Sequence, residues 1–398
     1  MFEPMVIAPR IRGFLCLNAH PAGCAANVER QIAAAVAANP SLRPGPSGGF
    51  RRVLVLGAST GYGLATLITS VWGCDADAVA VGFERPPEPG RPASAGWYNV
   101  AAVKAAARAA GRAVTAINGD AFSDEVLQAV LALDGQYDLV VYSLAAPRRV
   151  TPEGVFQSVL KPIGSPFYGK GIHLDRDRVQ DVEVQPASDA EIDATVRVMG
   201  GEDWARWVRA LADAGRLAPG ARVVAYSYVG PEITWPLYRS GTIGRAKEHL
   251  EHTASELDRL VRERVGGLAV VSINKALVTQ ASSAIPVVPL YISLLERVLR
   301  DRGDHERAIE QILRLFQDHI GPGRAPTVDE LGRIRLDDRE LQPEVQAEVM
   351  RRWPAVTTDN LLTDTDYPRF KREFRGLFGF EVDGVDYDAP VAIDATWE

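Results

Sequence analysis

Apolar residues in this chain fall into short runs separated by longer amphipathic stretches. The run Val53-Leu54-Val55-Leu56 is apolar at consecutive positions, so both of its faces need cover, as in a buried parallel strand. Gly57-Ala58-Ser59-Thr60-Gly61-Tyr62-Gly63 follows, and then Leu64, Leu67, Ile68 and Val71 at helical spacing. A second run, 78–83, ends at Glu84. A loop rich in Pro, Gly and Ser covers 86–96, and an Ala-rich helix is predicted over about 98–110. A strand over 113–117 ends at Asn118-Gly119-Asp120-Ala121. A helix over 123–133 leads to a strand from Tyr137 that closes on Ser143-Leu144-Ala145. Strand and helix alternate, which predicts an α/β fold with a Rossmann-like, doubly wound parallel sheet.

The pattern breaks at Pro147 and resumes near 222. Between them the sequence predicts a β-ribbon around 179–184 and one helix over about 188–214. A strand over 222–228, ending at Tyr228, precedes a long helix that Tyr238 and Lys247 open; Leu250, Leu257, Leu260 and Val261 mark its apolar side. A strand over 267–273 follows, then a mostly apolar stretch, 279–301. The last hundred residues predict helices over 304–319 and 342–352, a hairpin over 326–338 and an acidic, aromatic tail. At the start, the pattern gives a strand over 13–17, a turn at Asn18-Ala19-His20-Pro21, a helix over 24–38 and a loop over 39–49. The expected organisation is a single domain, 1–398. Its core covers about 50–146 and 220–300, with an insertion over about 147–219 and a wrapped C-terminal extension over about 301–398.

Composition narrows the function. At 398 residues and 46% apolar content, the chain can build a sizeable core. A formal net charge of -7 argues against general affinity for nucleic acid. Cys16, Cys24 and Cys74 have no metal-site spacing, and no metal is expected. The first residues lack the apolar core of a signal peptide, and no run is long enough to span a membrane. The expectation is a soluble, cytoplasmic protein.

The chemistry centres on the loop Gly57 to Gly63. Its glycines let backbone N–H groups approach a pyrophosphate at a helix N-terminus. Glu84 lies 23 positions beyond Gly61, where a ribose-binding carboxylate belongs. Asp120 reads equally as an adenine contact or as a helix cap, and Leu144-Ala145 as a cofactor passage or a plain strand end. Tyr228, Tyr238 and Lys247 follow the fifth strand, at the edge where wound sheets bind ligands. A Lys near a phenol lowers the cost of negative charge and can hold a ribose. His20 reads as a turn or core residue, His249 and His252 as surface or packing residues, and 285–299 as part of a substrate lid.

Tyr238 and Lys247 stand nine positions apart within Glu-Ile-Thr-Trp-Pro-Leu-Tyr-(eight residues)-Lys. That stretch resembles the FabV-type enoyl-[acyl-carrier-protein] reductases and the related trans-2-enoyl-CoA reductases, of the short-chain dehydrogenase/reductase superfamily. Further matching motifs are Gly-Phe-Leu-Cys with His20-Pro21-Ala22-Gly23-Cys24, Gly-Trp-Tyr-Asn at 96–99, Asn-Gly-Asp-Ala-Phe-Ser at 118–123, Met-Gly-Gly at 199–201 and Val-Thr-Gln-Ala-Ser-Ser-Ala-Ile-Pro at 278–286. The resemblance implies NADH as cofactor and an enoyl thioester, carried by acyl carrier protein or coenzyme A, as partner. It implies that Gly57, Ala58, Ser59, Thr60, Gly61 and Tyr62 hold the pyrophosphate. Phe83 and Glu84 would take the adenosine ribose and its surroundings, Asp120 and Ala121 the adenine, Leu144 and Ala145 the middle of the cofactor. Leu277, Val278 and Thr279 would line the nicotinamide side. Tyr238 would donate the proton, Lys247 would hold the ribose, and Tyr228 would contact the thioester carbonyl. Where relatives often carry Lys after the Phe-Glu pair, this chain has Arg85. The family's insertions would cover the surfaces on which simpler relatives form tetramers, which implies a monomer. Ser143 and Ser227 keep a carbonyl reductase or alcohol dehydrogenase open as an alternative. A dinucleotide sensor without catalysis is the third reading.

Overall fold

The computed structural model describes residues 2–42 and 49–398. The chain opens on a small hairpin, β1 (Ile11–Arg12) and β2 (Leu15–Cys16), where a single strand was predicted. Gly13 makes the turn in a left-handed conformation, φ +58°. Helix α1 (Pro21–Leu42) runs longer than predicted and takes in 39–42 of the expected loop. The rest of that loop, 43–48, lies outside the described residues.

The wound pattern then unfolds as its periodicity dictates. β3 (Arg52–Leu56), α2 (Gly61–Ile68), β4 (Asp77–Gly82), α3 (Ala95–Ala109), β5 (Val114–Asn118), α4 (Asp124–Leu131) and β6 (Tyr137–Tyr142) alternate. An insertion follows: the hairpin β7 (Arg148–Thr151) and β8 (Gly154–Gln157), the longer hairpin β9 (Phe167–His173) and β10 (Arg178–Val184), and helices α5 (Asp189–Met199) and α6 (Glu202–Asp213). Two helices thus replace the single predicted one. The break is at Gly200-Gly201, where Gly200 leaves helical geometry. A Cβ on Gly201 would stand 2.1 Å from Thr253 Oγ1 of the facing helix, so this crossing needs a small residue.

The sheet resumes with β11 (Leu217–Ser227), α7 (Thr242–Val265) and β12 (Leu268–Ile273). The expected long apolar stretch becomes a short helix, α8 (Gln280–Ser283), and a long one, α9 (Val288–Arg302). Next come α10 (Ala308–Leu315), β13 (Ile334–Arg335), α11 (Pro343–Arg352), α12 (Leu361–Asp364) and α13 (Tyr367–Gly376). The hairpin expected over 326–338 is instead one two-residue strand, added in parallel beside β12. The acidic, aromatic tail contains two helices, α12 and α13.

All seven strands of the main sheet are parallel, in the order β13-β12-β11-β6-β3-β4-β5. Chain direction across the sheet reverses between β3 and β6, which opens a crevice beyond their carboxyl ends. Side chains alternate between two cores. Val53 and Val55 face α2 and α10 on one side, and Leu54 and Leu56 face α6 and α7 on the other. A third core lies under α9, α11 and α13, built from Leu294, Leu295, Tyr367, Phe370 and Phe374.

Candidate active site

One cavity of about 2410 Å³ lies at the carboxyl ends of the strands and is lined by the loop after β3, by Glu84, Asp120 and Leu144, and by Tyr228, Tyr238 and Lys247. The glycine loop is shaped by close approach. Gly57 has φ +86°, and a Cβ there would stand 2.2 Å from the Ser143 carbonyl oxygen. A Cβ on Gly63 would stand 1.9 Å from the Gly57 carbonyl oxygen. Only glycines let the first turn of α2 sit directly on the loop and point its N–H groups at the cavity. Ala58 is buried beneath the loop, Ser59, Thr60 and Gly61 line the cavity, and the Tyr62 hydroxyl donates to the Lys275 carbonyl at 2.8 Å.

Glu84 follows β4. Its Oε1 accepts from the Ser59 hydroxyl at 2.6 Å and its Oε2 from the Ser94 hydroxyl at 2.5 Å. The carboxylate is therefore fixed against the loop before any ligand arrives. Arg85 turns elsewhere, donating from Nη1 to the Pro92 carbonyl at 2.7 Å. Phe83 is 76% exposed, an open aromatic face on the cavity wall. Asp120 lines the cavity, and its Oδ1 accepts from the Phe122 N–H at 2.9 Å. The cap of α4 is Ser123, whose hydroxyl accepts from the Val126 N–H. Ala121 and Leu144-Ala145 also line the cavity.

The pair Tyr238 and Lys247 sits differently from the sequence expectation. Tyr238 is not on the long helix. It lies in a turn held by bonds from its N–H to the Thr234 and Trp235 carbonyls, and α7 begins at Thr242 after the extended Gly241. Gly241 is extended and bridged to Pro162, so the helix starts beyond Tyr238. Lys247 is on α7 as expected. Both side chains are nearly enclosed, Tyr238 at 9% and Lys247 at 7% exposure. Among the described residues, neither the Tyr238 hydroxyl nor the Lys247 ammonium has a protein hydrogen-bond partner. Burial pushes the Tyr238 phenol above its ordinary value, so it stays protonated. Burial pulls Lys247 down to about 8, with Glu251 opposing the shift. Tyr228 stands one residue beyond β11, its ring 4.9 Å from that of Tyr238 and edge-on to it.

Leu277, Val278 and Thr279 line the cavity after β12, and Thr279 caps α8 through its hydroxyl. Of the predicted lid, Ile285 and Val288 reach the cavity, while Leu290, Leu294, Leu295 and Leu299 belong to the core below the C-terminal helices. His20 is buried against Phe380 and Tyr387, away from the cavity lining. His249 accepts from the Gly201 N–H, and His252 contacts the Glu248 carbonyl within α7.

Sequence reasoning missed Asn274, Lys275 and Glu340. Asn274 and Lys275 are buried polar residues immediately after β12, both on the cavity wall. Their signal was available: polar residues at the carboxyl end of a wound strand face the ligand crevice. Among the described residues, buried Ser227 Oγ and Asn274 Nδ2 have no protein partner, and both residues line the same space. Glu340 gave no local signal, since its partners lie far away in sequence. Glu296, His305 and Glu373 place ligand atoms within 4.8 Å of one another, as a metal site would. Arg300 already bridges Glu296 and Glu373, so a guanidinium provides the cation there.

A glycine loop at the switch point of a wound sheet, an acid after the next strand and an enclosed Tyr/Lys pair across the crevice define a Rossmann-like dinucleotide-dependent reductase. Comparison with known proteins makes the class more specific. Residues 6–89 match the family described as the NAD(P)H binding domain of trans-2-enoyl-CoA reductase, 91–320 the trans-2-enoyl-CoA reductase catalytic region, and 328–391 an enoyl reductase FAD binding domain. An enoyl-[acyl-carrier-protein] reductase [NADH] of Opitutus terrae is 52% identical over 97% of this chain and 98% of its own. The crystal structure of Treponema denticola trans-2-enoyl-CoA reductase with NAD is 42% identical, with TM-score 0.93 over 99% of both chains. That of the Clostridium acetobutulicum enzyme with NADH is 38% identical, with TM-score 0.92 over 98% of both. The chain belongs to this trans-2-enoyl-CoA reductase and enoyl-[acyl-carrier-protein] reductase family.

The 328–391 stretch does not fit a flavin. It holds one two-residue strand and no strand, glycine loop and helix in succession to cradle a second pyrophosphate. Three of its aromatic rings, Tyr367, Phe370 and Phe374, are buried in the core.

Proposed function

We propose that this protein reduces the trans-2 double bond of an enoyl thioester with NADH, giving the saturated acyl thioester in fatty-acid synthesis. The observation that carries the reading is the enclosed Tyr238 and Lys247, their polar ends unpartnered among the described residues, in the same cavity as the glycine loop. NADH fits the loop from Gly57 to Tyr62 and would supply the hydride that C3 of the substrate accepts. Glu84, already fixed by Ser59 and Ser94, would take the adenosine ribose hydroxyls, beside Phe83. Asp120, Ala121, Leu144 and Ala145 would line the adenine and central parts, and Leu277, Val278 and Thr279 the nicotinamide side.

The Tyr238 hydroxyl would donate to the thioester oxygen as negative charge gathers there. A donor in an enclosed site stabilises that charge more than the neutral carbonyl, which is the condition for catalysis. The raised phenol pKa keeps the proton on Tyr238 until it is needed. Lys247 would hold the nicotinamide ribose and place positive charge beneath the developing enolate. Tyr228, edge-on to Tyr238, would border the thioester. Protonation at C2 then completes the product.

The reading extends to the whole chain as one domain acting as a monomer in the cytoplasm, on substrate carried by acyl carrier protein or coenzyme A. No helix among the described residues is long and apolar enough to cross a membrane. The test is NADH oxidation by the purified protein with crotonyl-CoA, with a ketone, and with neither. Turnover on crotonyl-CoA alone supports the proposal. Turnover on the ketone alone would favour carbonyl reduction with Ser143 or Ser227, and cofactor binding without turnover would favour a sensor.

A further inference from the structure

We propose that Glu340 is a positioning residue for the reduction: it holds the Tyr228 hydroxyl with its proton turned away from the substrate, so that Tyr238 alone is free to donate. The inference rests on the reading of Tyr228 and Tyr238 as substrate-facing phenols. Glu340 sits between β13 and α11 and is 0% exposed. Its Oε1 accepts from the Tyr228 hydroxyl at 2.9 Å and from the Tyr291 hydroxyl at 2.7 Å. Its Oε2 accepts from the Ala276 N–H at 2.7 Å. One carboxylate thus joins the end of β11, the loop after β12 and the helix α9.

A phenol carries one proton. The Tyr228 hydroxyl donates its hydrogen bond to Glu340 and keeps only lone pairs for the cavity, whereas among the described residues the Tyr238 hydroxyl has no protein acceptor and keeps its hydrogen available. Two adjacent phenols are thereby sorted into one acceptor and one donor. Burying a carboxylate is costly unless donors surround it, and a hydrophobic side chain would hold a core junction without that cost. The three donors meeting at Glu340 account for its burial, and one of them belongs to the site. Glu340 also fixes the backbone one residue before Leu277, so the same anchor sets the nicotinamide-side loop.

The test uses the full chain and the variants Glu340→Gln, Tyr228→Phe, the two combined, and Tyr291→Phe. The measurements are kcat and KM with crotonyl-CoA, the NADH Kd by fluorescence, and Tm. A carboxamide cannot accept on both sides, so Glu340→Gln loses either the Tyr228 or the Ala276 bond. We expect kcat to fall about tenfold or more, the scale of a misplaced reacting group, with NADH Kd within about twofold. On the Tyr228→Phe background the same change should cost less than about twofold, because the interaction it disturbs is already gone. Tyr291→Phe should lower Tm while leaving kcat within about twofold. Equal losses from Glu340→Gln in both backgrounds, or a Tyr291→Phe loss as large as that of Glu340→Gln, would make the carboxylate a structural clamp and overturn the proposal. Tyr228→Phe at the wild-type rate would overturn the substrate role of Tyr228, and this inference with it, while leaving Tyr238 and Lys247 untouched.

Discussion

Burial, more than proximity, sets the chemistry of Tyr238 and Lys247. Burial pushes the Tyr238 phenol above its ordinary pKa and keeps it protonated near neutral pH, so Tyr238→Phe should remove the proton and keep the ring. We expect kcat on crotonyl-CoA to fall about 10²-fold or more with NADH binding little changed; near-wild-type turnover would show that another group donates. Lys247 is drawn to about 8 by burial, so in the free enzyme its charge disappears as pH rises through that value. If the ammonium holds the ribose, kcat/KM for NADH should decline above pH of about 8, since that ratio follows the free enzyme. Lys247→Met should be low throughout and lack that limb, and an unaltered pH profile in Lys247→Met would detach the limb from this residue. Glu84 bears on cofactor choice. If Glu84 takes the adenosine ribose, a 2′-phosphate would meet its carboxylate at close range, and Arg85 is engaged with the Pro92 carbonyl. We therefore expect NADH to be preferred over NADPH and Glu84→Ala to narrow the ratio of kcat/KM values; an unchanged ratio would place the selectivity elsewhere. At this scale the sequence was most informative where a motif is local. Gly57 to Gly63, Glu84 and Lys247 are each readable from neighbours. Glu340 was not, because a buried carboxylate is defined by donors just after β11, on α9 and in the loop after β12, which only the fold brings together.

The elements followed their periodicity wherever one face or both faces of a strand had to be buried. β3, β4, β5, β6 and β12 lie within a few residues of their predicted bounds, since consecutive apolar positions leave little choice. Local geometry that depends on a neighbour was harder to read. Gly200-Gly201 divides α5 from α6 because Thr253 on α7 presses against it, and nothing in 188–214 announces that contact. The hairpins β7–β8 and β9–β10 were under-read because their outward faces are mixed: Val150, Val155 and Tyr168 are exposed, which blurs the alternation. Tyr238 fell outside α7 for the same kind of reason. The isolated bridge between Pro162 and Gly241, with Thr242 N–H donating to the Lys161 carbonyl, starts the helix from the insertion side. The loop before α2 carries the prediction at this scale. Gly57→Ala adds a Cβ at positive φ within 2.2 Å of the Ser143 carbonyl, so β6 and the loop must separate. We expect NADH affinity to fall at least about tenfold and stability by about 1–3 kcal/mol, read by fluorescence titration and by urea unfolding. Wild-type NADH affinity in Gly57→Ala would mean that the loop does not need this close approach to hold the cofactor.

Across the whole molecule, the C-terminal extension returns to the nucleotide end of the sheet. The Trp97 indole N–H donates to the Ala395 carbonyl, and that of Trp397 to the Trp97 carbonyl, at 2.7 and 2.9 Å. The two rings stack at 4.9 Å. The Tyr98 hydroxyl donates to the Ile393 carbonyl, and the Lys104 ammonium to that of Trp397. All four hydrogen bonds and the stacked ring fall on α3, whose first turn follows Ser94, one of the two residues that hold Glu84. Trp397 also packs at the end of β4: a Cβ on Gly82 would stand 3.1 Å from its ring. The tail therefore braces the strand end and the helix start between which Glu84 is fixed, about 300 residues away in sequence. Such a link is invisible to local pattern, and the tail reads as merely acidic and aromatic until the sheet is seen. Trp397→Ala removes a nearly buried indole and its stacking partner's cover, and we expect unfolding stability to fall by about 3 kcal/mol. If the brace also positions Glu84, KM for NADH should rise several-fold while kcat at saturating NADH stays near wild type, because Tyr238 and Lys247 lie beyond the tail's contacts. The two effects separate cleanly in one preparation, by urea unfolding and by steady-state kinetics. A stability loss with unchanged KM would limit the tail to packing, and an equal loss in kcat would show that its influence crosses the sheet to the reacting end.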